Sequence, residues 1–398
     1  MARPINILTL STLFPHAASP NFGIFVERQT AELANRPDAN VTVINPVGIP
    51  PFPFRNLAPY RRLITLPRHE QWRGLNVYRP RFPLIPKFGA RNPLHIARAV
   101  LPLVKKLHDR NPFDLIDAEF FFPDGPAAMR LSAALNIPFT IKARGADIHH
   151  WGSRPKCLAQ ILSAADKAAG LLAVSGALKQ DMQAIGMNGD KITVHYTGLD
   201  QSKFKPVDRA AVKKQLGITG PLFICVGALI KRKNQHLVIE AMASFPDATL
   251  MLAGTGEEEQ AYRAKARILG IEDRIRFLGN VPHDDLPKLV AAADISILPS
   301  KSEGLANAWV EALSCGTPII ISEAGGAREL VQSETAGRIV QQDSAEIAQA
   351  IQEILANPPA ADEVRKAVSG FSWKNNGDIL EKIFTGILQP ESEARILA

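Results

Sequence analysis

The chain has 398 residues, enough for two domains at roughly 100–200 residues each. Charged residues are 21% and the apolar set 46%, a balance that gives each half a core and excludes a disordered chain. The net charge, 46 − 39 = +7, is modest for this length, so where the surplus sits matters more than its size. Cys157, Cys225 and Cys315 lie far apart with no C-x-x-C pair, which argues against a disulfide framework or a zinc cage and for a reduced compartment.

In chain order, INILTL reads as a buried strand and GIFVERQTAELAN, after a Pro/Asn/Gly loop, as an amphipathic helix. The opening PINILTLST has neither a basic n-region nor a long apolar core, and no window reaches about 18 uninterrupted apolar residues. The expectation is a cytoplasmic protein without signal peptide or membrane span, meeting a membrane, if at all, from its inner face. NVTVINPV follows as a second strand, and the Pro- and Arg-rich stretch from about 48 to 92 reads as irregular.

That stretch holds most of the basic surplus. Arg55, Arg61, Arg62, Arg68, Arg73, Arg79, Arg81, Lys87 and Arg91 stand against one acid, Glu70, interleaved with Phe52, Phe54, Tyr60, Trp72, Tyr78, Phe82 and Phe88. The pattern suits an anionic membrane surface or a lipid-diphosphate acceptor, with Arg61 and Arg62 as acceptor-side candidates, and it suits equally a plain solvated loop. No RNA-binding motif accompanies it, so no nucleic acid partner is expected.

HIARAVLPLVKKLHDR restores helical periodicity, and FDLIDAEF, IPFTIKAR and GLLAVS are strands separated by helical stretches. The pattern pauses at VHYTGLDQSKFKPVD before a new strand, PLFICVGAL, and then repeats through ATLMLAG, IRFLG, ISILPS, PIIIS and GRIVQ. This alternation predicts an α/β chain of two doubly wound Rossmann-like domains facing across a cleft. The boundaries are residues 1–197, 198–371 and a final helix in 372–398.

SEGLANAWVEALSCGTPIIIS, residues 302–322, follows the strand ISILPS directly. Glu303 opens a turn, Gly304 lets backbone approach a ligand, and Asn307 to Ser314 reads as a helix whose first N–H groups attract a diphosphate. Glu303 and Glu311, eight apart, are expected near one face, where carboxylates can accept pairs of sugar hydroxyls. Taken alone, the two fit a dipole-complementing glutamate and a solvated surface acid better, since this spacing is common; the neighbouring motifs change that balance. Lys233 beside Arg232 follows a strand end, where α/β proteins bind ligands.

AGTGEEE lacks the third glycine of a dinucleotide turn and places Glu257, Glu258 and Glu259 where a pyrophosphate would sit. No P-loop exists, which excludes that route of phosphoryl transfer, and no D-x-D pair is present to clamp a metal.

Together with CGTPII, AGGARELV, VGALIKRKN, LAGTGEE, LGNVPHDDLPKLVAAADISILPS and VSGALK, the glutamate pair resembles the retaining family-4 glycosyltransferases of the GT-B fold. FPHAASPNFGIFVERQ and ARGADIH resemble variants of the exopolysaccharide and teichuronic-acid type, and SWKNNGDILEKIF resembles the last helix that crosses back to the first domain. The resemblance implies that Glu303 binds donor-sugar hydroxyls, Glu311 the ribose, and Arg232, Lys233, Gly304, Leu305, Ala306 and Asn307 the diphosphate, with Gly23 letting the first loop approach it. Arg144, Gly145 and Asp147 match the family's H-G-x-D turn with Arg in place of His; Arg144 cannot be a base but can stabilise a departing phosphate. Asp147 and His149 are either acceptor-positioning groups or turn residues, and Ser175 either a helix cap or a ligand contact. Ala228 stands where the family commonly has Arg, so one diphosphate cation is missing.

The implied activity is metal-independent transfer, with retention, from a nucleotide diphosphate sugar to a glycan or lipid-linked acceptor, with no cofactor. UDP is favoured over GDP by family frequency. A GT-B epimerase or a noncatalytic nucleotide-sugar or glycan-binding protein is the rival reading.

Overall fold

The computed structural model describes residues 3–85 and 88–389, so Lys87 of the basic stretch lies outside the described residues. The chain divides into two compact units, Met1–Gly198 with Trp373–Ala398, and Leu199–Ser372. The first unit runs β1 (Ile5–Leu10), α1 (Ile24–Ala34), β2 (Ala39–Ile44), β3 (Val47–Ile49), α2 (Ala58–Ile64), β4 (His69–Trp72), β5 (Leu75–Tyr78), β6 (Arg81–Pro83) and α3 (Asn92–Arg110). It continues with β7 (Leu115–Ala118), α4 (Asp124–Leu135), β8 (Phe139–Ala143), α5 (Pro155–Lys167), β9 (Gly170–Ala173), α6 (Gly176–Ala184) and β10 (Ile192–Val194). The sheet order is β10-β9-β8-β7-β1-β2-β5-β4, parallel but for the β4–β5 hairpin. β7 and β8 are buried along their whole length, as strands covered on both faces must be.

The stretch 48–92 is not irregular. Alternation in H-E-Q-W and L-N-V-Y makes β4 and β5, joined at Arg73 and Gly74 with φ of 47° and 85°. Two positive φ values in a two-residue loop match the twist of a hairpin, and the surrounding Pro and Arg hide this period in the sequence. Arg79, counted in the sequence as surface charge, is fully buried. Its guanidinium donates to Glu70 at 2.6 Å, to the Pro15 carbonyl at 2.9 Å and to the Asn45 side chain, tying the hairpin to the loop after β1.

The second unit runs α7 (Arg209–Gln215), β11 (Leu222–Val226), α8 (Gln235–Ala241), β12 (Thr249–Ala253), α9 (Glu259–Ile268), β13 (Ile275–Gly279), α10 (Leu286–Ala292) and β14 (Ile295–Leu298). Then come α11 (Asn307–Ser314), β15 (Ile319–Ser322), α12 (Ala327–Leu330), β16 (Gly337–Val340), α13 (Ser344–Ala356) and α14 (Ala361–Lys366). All six strands are parallel in the order β13-β12-β11-β14-β15-β16. Phe223, Leu250, Leu252, Ile295 and Ile320 pack beneath Val238 and Ile239 of α8 and Ile347 and Ile351 of α13.

α15 (Trp373–Leu388) returns to the first unit and lies against α1. Leu380 and Phe384 join a buried cluster with Ile7, Leu33, Leu115 and Leu172. Arg36 clamps the helix surface, donating to Asp378 at 2.7 Å, to the Lys374 carbonyl at 3.0 Å and to Glu381. Among the described residues no helix is long and apolar enough to cross a membrane. Because Phe384 is wholly buried, Phe384→Ala should cost about 3–5 kcal/mol in chemical denaturation, whereas a loss below about 1 kcal/mol would show that α15 does not anchor the unit.

Candidate functional site

In the second unit the strand order reverses between β11 and β14, whose connections leave in opposite directions and open a crevice at their C-terminal ends. The turn Lys231–Lys233 enters it from β11 and the segment around Glu303 from β14. Lys233 Nζ lies 2.5 Å from Glu303 Oε1, and Arg232 lies 3.3 Å from the same oxygen while donating to the Ser302 carbonyl. Both Lys233 and Glu303 are largely shielded from solvent, so this pairing is stronger than a surface ion pair. Ala228, at the end of β11, is exposed and supplies no cation.

Gly325 locks the backbone of that turn. Its φ is +52°, and a Cβ there would lie 2.4 Å from the carbonyl oxygens of both Glu303 and Gly304. The Gly326 N–H also donates to the Gly304 carbonyl at 2.8 Å. Leu305 and Ala306 are buried, which leaves backbone rather than side chain as their polar contribution. Ala306 precedes α11 with φ −72° and ψ 121° and has no side chain that can cap the electropositive start of the helix.

Glu303 therefore stands outside the helix, and helical spacing does not place it on one face with Glu311, because Gly304–Ala306 is not helical. The two carboxylates have different partners. Glu311 Oε1 lies 2.9 Å from Nε2 of His283, in the loop between β13 and α10, and the His283 ring meets Phe204 edge-on at 5.3 Å. Sequence reasoning missed His283; its only signal was a lone histidine within the quoted VPHDD motif.

In the first unit the order reverses between β1 and β7. Arg144, just after β8, pairs with Glu119, just after β7, donates through Nε to the Glu119 carbonyl at 3.0 Å and covers the Phe25 ring at 4.6 Å. Glu119 also accepts from Gln29. Behind it Lys142 donates to Gln29 Oε1 at 2.7 Å and to His195 Nδ1 at 2.8 Å, so the His195 Nε2–H points to the Asn376 carbonyl on α15, 2.9 Å away. Burial alone would raise the Glu119 pKa, but Arg144 and Lys142 outweigh it and hold it below the ordinary value. Its neighbour Asp117 goes the other way, raised by burial and by Glu119 itself. Burial and then Arg144 lower Lys142 to about 7, and burial and then Lys142 lower His195 to about 3, leaving that ring neutral. None of Glu119, Lys142 or His195 was singled out in the sequence; acids and bases at the ends of consecutive strands were the available signal.

Asp147 opens a single π turn, Asp147–Trp151, and its buried carboxylate accepts backbone N–H groups of Phe121, Arg144, Gly145 and Ile148 at 2.8–3.2 Å. The carboxylate is thus occupied by the backbone of the turn it shapes. His149 pairs through Nε2 with Asp181 at 2.9 Å, half-buried. Gly23, at the start of α1, has φ +70°, and a Cβ would lie 2.5 Å from the Leu13 carbonyl carbon, so the loop's own backbone already requires glycine there. Ser175 accepts the Leu178 N–H and caps α6. Arg61 and Arg62 are exposed on α2, an element apart from the Arg144 cluster.

Asp124, at the start of α4, accepts the Thr12 N–H at 2.8 Å and hydroxyl at 3.2 Å. Burial pushes its pKa up to about 8 from 3.8, against the Thr12 hydrogen bonds. The folded chain thus keeps a proton that the unfolded chain loses near pH 4, and this contribution to stability falls as pH rises from about 4 to 8. Asp124→Asn cannot ionise, so its melting temperature relative to wild type should rise between pH 5 and 8; a pH-independent difference would refute the burial argument.

Residues 25–203 match the family described as Glycosyltransferase Family 4, and residues 208–369 that described as Glycosyl transferases group 1. TuaC of Bacillus subtilis (strain 168), provisionally assigned to teichuronic acid biosynthesis as a glycosyltransferase, is 29% identical over 375 residues, covering 92% of this chain and 94% of that protein. A GDP-mannose-dependent monoacylated alpha-(1-6)-phosphatidylinositol monomannoside mannosyltransferase of Corynebacterium glutamicum is 32% identical over 221 residues, 49% of this chain and 55% of its own length. The crystal structure of HepE of Anabaena in complex with UDP superimposes with a TM-score of 0.75 at 22% identity, covering 96% of this chain and all of that one. Sucrose-phosphate synthase of Thermosynechococcus elongatus gives 0.79 at 20%, covering 97% and 100%. Two Rossmann-like units of this topology, matched along nearly their whole length, make the chain a GT-B protein that belongs to the family-4 glycosyltransferases.

Proposed function

We propose that the protein transfers a sugar from a nucleotide diphosphate donor, UDP-linked in preference to GDP-linked, to a glycan or lipid-diphosphate-linked acceptor with retention of configuration, in cell-surface polysaccharide biosynthesis. The observation that carries this reading is the single carboxylate oxygen of Glu303 shared by Lys233 and Arg232 at the reversal point of the second sheet. A donor diphosphate would take over the two cations and the start of α11, around Gly304–Asn307, and so release the Glu303 carboxylate to accept sugar hydroxyls. Glu311, oriented by His283, would accept the ribose hydroxyls.

The acceptor oxygen bonds to the anomeric carbon as the bond from that carbon to the phosphate breaks, and the acceptor proton passes to the departing phosphate oxygen. Lys233 and Arg232 offset the charge that develops there, so the reading requires no divalent ion. On the first unit Arg144 would be a fixed cation, Asp147 the residue that shapes its turn, Gly23 part of the loop beside it, and His149 with Asp181 an acceptor-positioning pair. HepE has been crystallised with UDP and with UDP-glucose, which favours UDP; relatives named for GDP-mannose keep GDP as the alternative. The naming of TuaC for teichuronic acid supports a surface polysaccharide, and the lipid-linked acceptor brings the reaction to the inner membrane face.

Calorimetric titration with UDP and with GDP in the presence of EDTA should show one of them binding at about 10 μM, and Lys233→Ala should weaken it at least about tenfold. Glu303→Gln should cut transfer by about 100-fold or more with nucleotide affinity nearly kept. Wild-type turnover in that variant would remove Glu303 from the site, and activity lost to EDTA and restored by manganese would overturn metal independence. Complete conversion of the donor sugar without acceptor would instead identify an epimerase, and binding without any turnover a noncatalytic protein.

A further inference from the structure

The chain between β3 and α3 carries arginines of two kinds. Arg73 pairs with Glu27, Arg79 is buried against Glu70, and Arg81 donates to the carbonyls of Leu66 and Arg79 at 2.6 and 2.9 Å. Arg55, Arg61, Arg62, Arg68 and Arg91 are exposed, and no acid among the described residues pairs with them. Glu70, the one acid of the stretch, is already held by Arg79, so the exposed charge here is all positive.

The same segment exposes large apolar side chains. Nine such residues are exposed among the described ones, and five of them fall here: Phe52 at 71%, Phe54, Leu57, Ile64 and Phe88. Folding does not need these groups outside, so a cluster of this kind marks a surface that meets something apolar. β3 and β6 pair in parallel, Val47 with Arg81 through Ile49 with Pro83, and the Leu84 N–H extends the ribbon to the Ile49 carbonyl at 3.0 Å. Two parallel strands release their following segments at one end. Phe52, Phe54 and α2 therefore leave on the same side as Phe88. Arg55 sits 6.0 Å over Phe52 and Arg91 5.4 Å over Phe88, so cation and ring alternate within the surface.

We propose that this surface docks on an anionic lipid bilayer, with Phe52, Phe54 and Phe88 entering the boundary of headgroups and acyl chains while Arg55, Arg61, Arg62 and Arg91 meet lipid phosphates. Single-stranded nucleic acid offers the same phosphates, but its bases stack on rings and leave the aliphatic Leu57 and Ile64 without a partner; acyl chains cover both kinds of group. The purpose of docking rests on the transferase reading, since it brings a lipid-linked acceptor within reach; the docking itself does not depend on that reading.

The full chain is sedimented with phosphatidylcholine vesicles and with vesicles that also contain phosphatidylglycerol. Binding should favour the anionic vesicles by at least about tenfold and weaken with salt. Arg61→Ser/Arg62→Ser should lose about 30-fold and Phe52→Ser/Phe54→Ser at least about tenfold, while UDP or GDP affinity, carried by the other unit, stays as in wild type. Emission of the Phe52→Trp variant should shift to the blue on anionic vesicles only. No sedimentation, equal binding to both vesicle types, unchanged binding by either double variant, or binding of RNA in place of vesicles would each overturn the docking surface. Nucleotide binding is the separate arm: vesicle binding without it would refute the proposed donor site alone, and nucleotide binding without vesicle binding would refute the docking alone.

Discussion

One carboxylate oxygen with two cations on it organises the second unit. Glu303 comes from the connection after β14, Lys233 and Arg232 from that after β11, and the two connections diverge because the strand order reverses between them. The bridge joins two loops that carry like charges, Lys231, Arg232, Lys233 and Lys301, and it acts beside the hydrogen bonds from the Lys301 N–H to the Arg232 carbonyl and from the Asn234 side chain to the Pro299 carbonyl. Gly325 and Gly326 press the backbone of Glu303 and Gly304 into place from the turn after β15, so three strand ends converge on one ion pair. In the proposed reaction the diphosphate exchanges with a carboxylate already bound to those cations. Both cations are already gathered at the crevice when substrate arrives, so only a short movement from carboxylate to phosphate is needed, a condition that favours charge stabilisation.

The first unit builds its strand-end cluster on different terms. Arg144 and Glu119 are both almost wholly buried, and burial works against charge in the groups behind them: it raises the Asp117 pKa, lowers Lys142 to about 7 and lowers His195 to about 3. A buried pair of this kind contributes more to a unique geometry than to net stability, because desolvation offsets most of the attraction. Here the geometry reaches far along the chain. Through Gln29 the cluster grips α1, through His195 it grips the start of α15, and Asn376 returns a hydrogen bond to the Tyr196 carbonyl at 2.6 Å. The helix that re-enters the first unit is thus tied at its beginning by polar contacts and along its length by Leu380 and Phe384.

Much of this was legible in the residues, and the remainder failed for identifiable reasons. Strand–helix alternation predicted two parallel sheets because buried parallel strands are continuous apolar runs, and Lys233 and Glu303 could be placed at strand ends by that alternation alone. The eight-residue interval between Glu303 and Glu311 misled because it presumed a helix that begins four residues later, at Asn307. β4 and β5 were hidden by arginines that read as loop residues, although Arg79 is a buried staple whose long side chain satisfies three acceptors. His283 and the Glu119–Lys142–His195 chain were invisible for a more general reason. Each is a single polar residue whose meaning lies in a partner tens of residues away, and no local period reports such a pairing.

Two departures from the family pattern, Ala228 and Arg144, both concern cations, and the structure bears on them unequally. Arg144 gains a positive charge where the family has histidine, but Glu119 neutralises it within hydrogen-bond range, and the guanidinium is fixed over the Phe25 ring. It is therefore no free substitute for a missing diphosphate cation. Arg232 is the opposite case: its side chain is 44% exposed, it shares its acid with Lys233, and the backbone N–H of Lys301 donates to its carbonyl at 2.8 Å, which fixes the base of a side chain whose tip can still move. A guanidinium that is anchored at the main chain and only half-committed at its end can swing from a carboxylate to a phosphate at small cost. In the proposed donor site Arg232, four residues further along the same connection, would therefore fill the position left by Ala228, since its ion pair is weak enough to exchange.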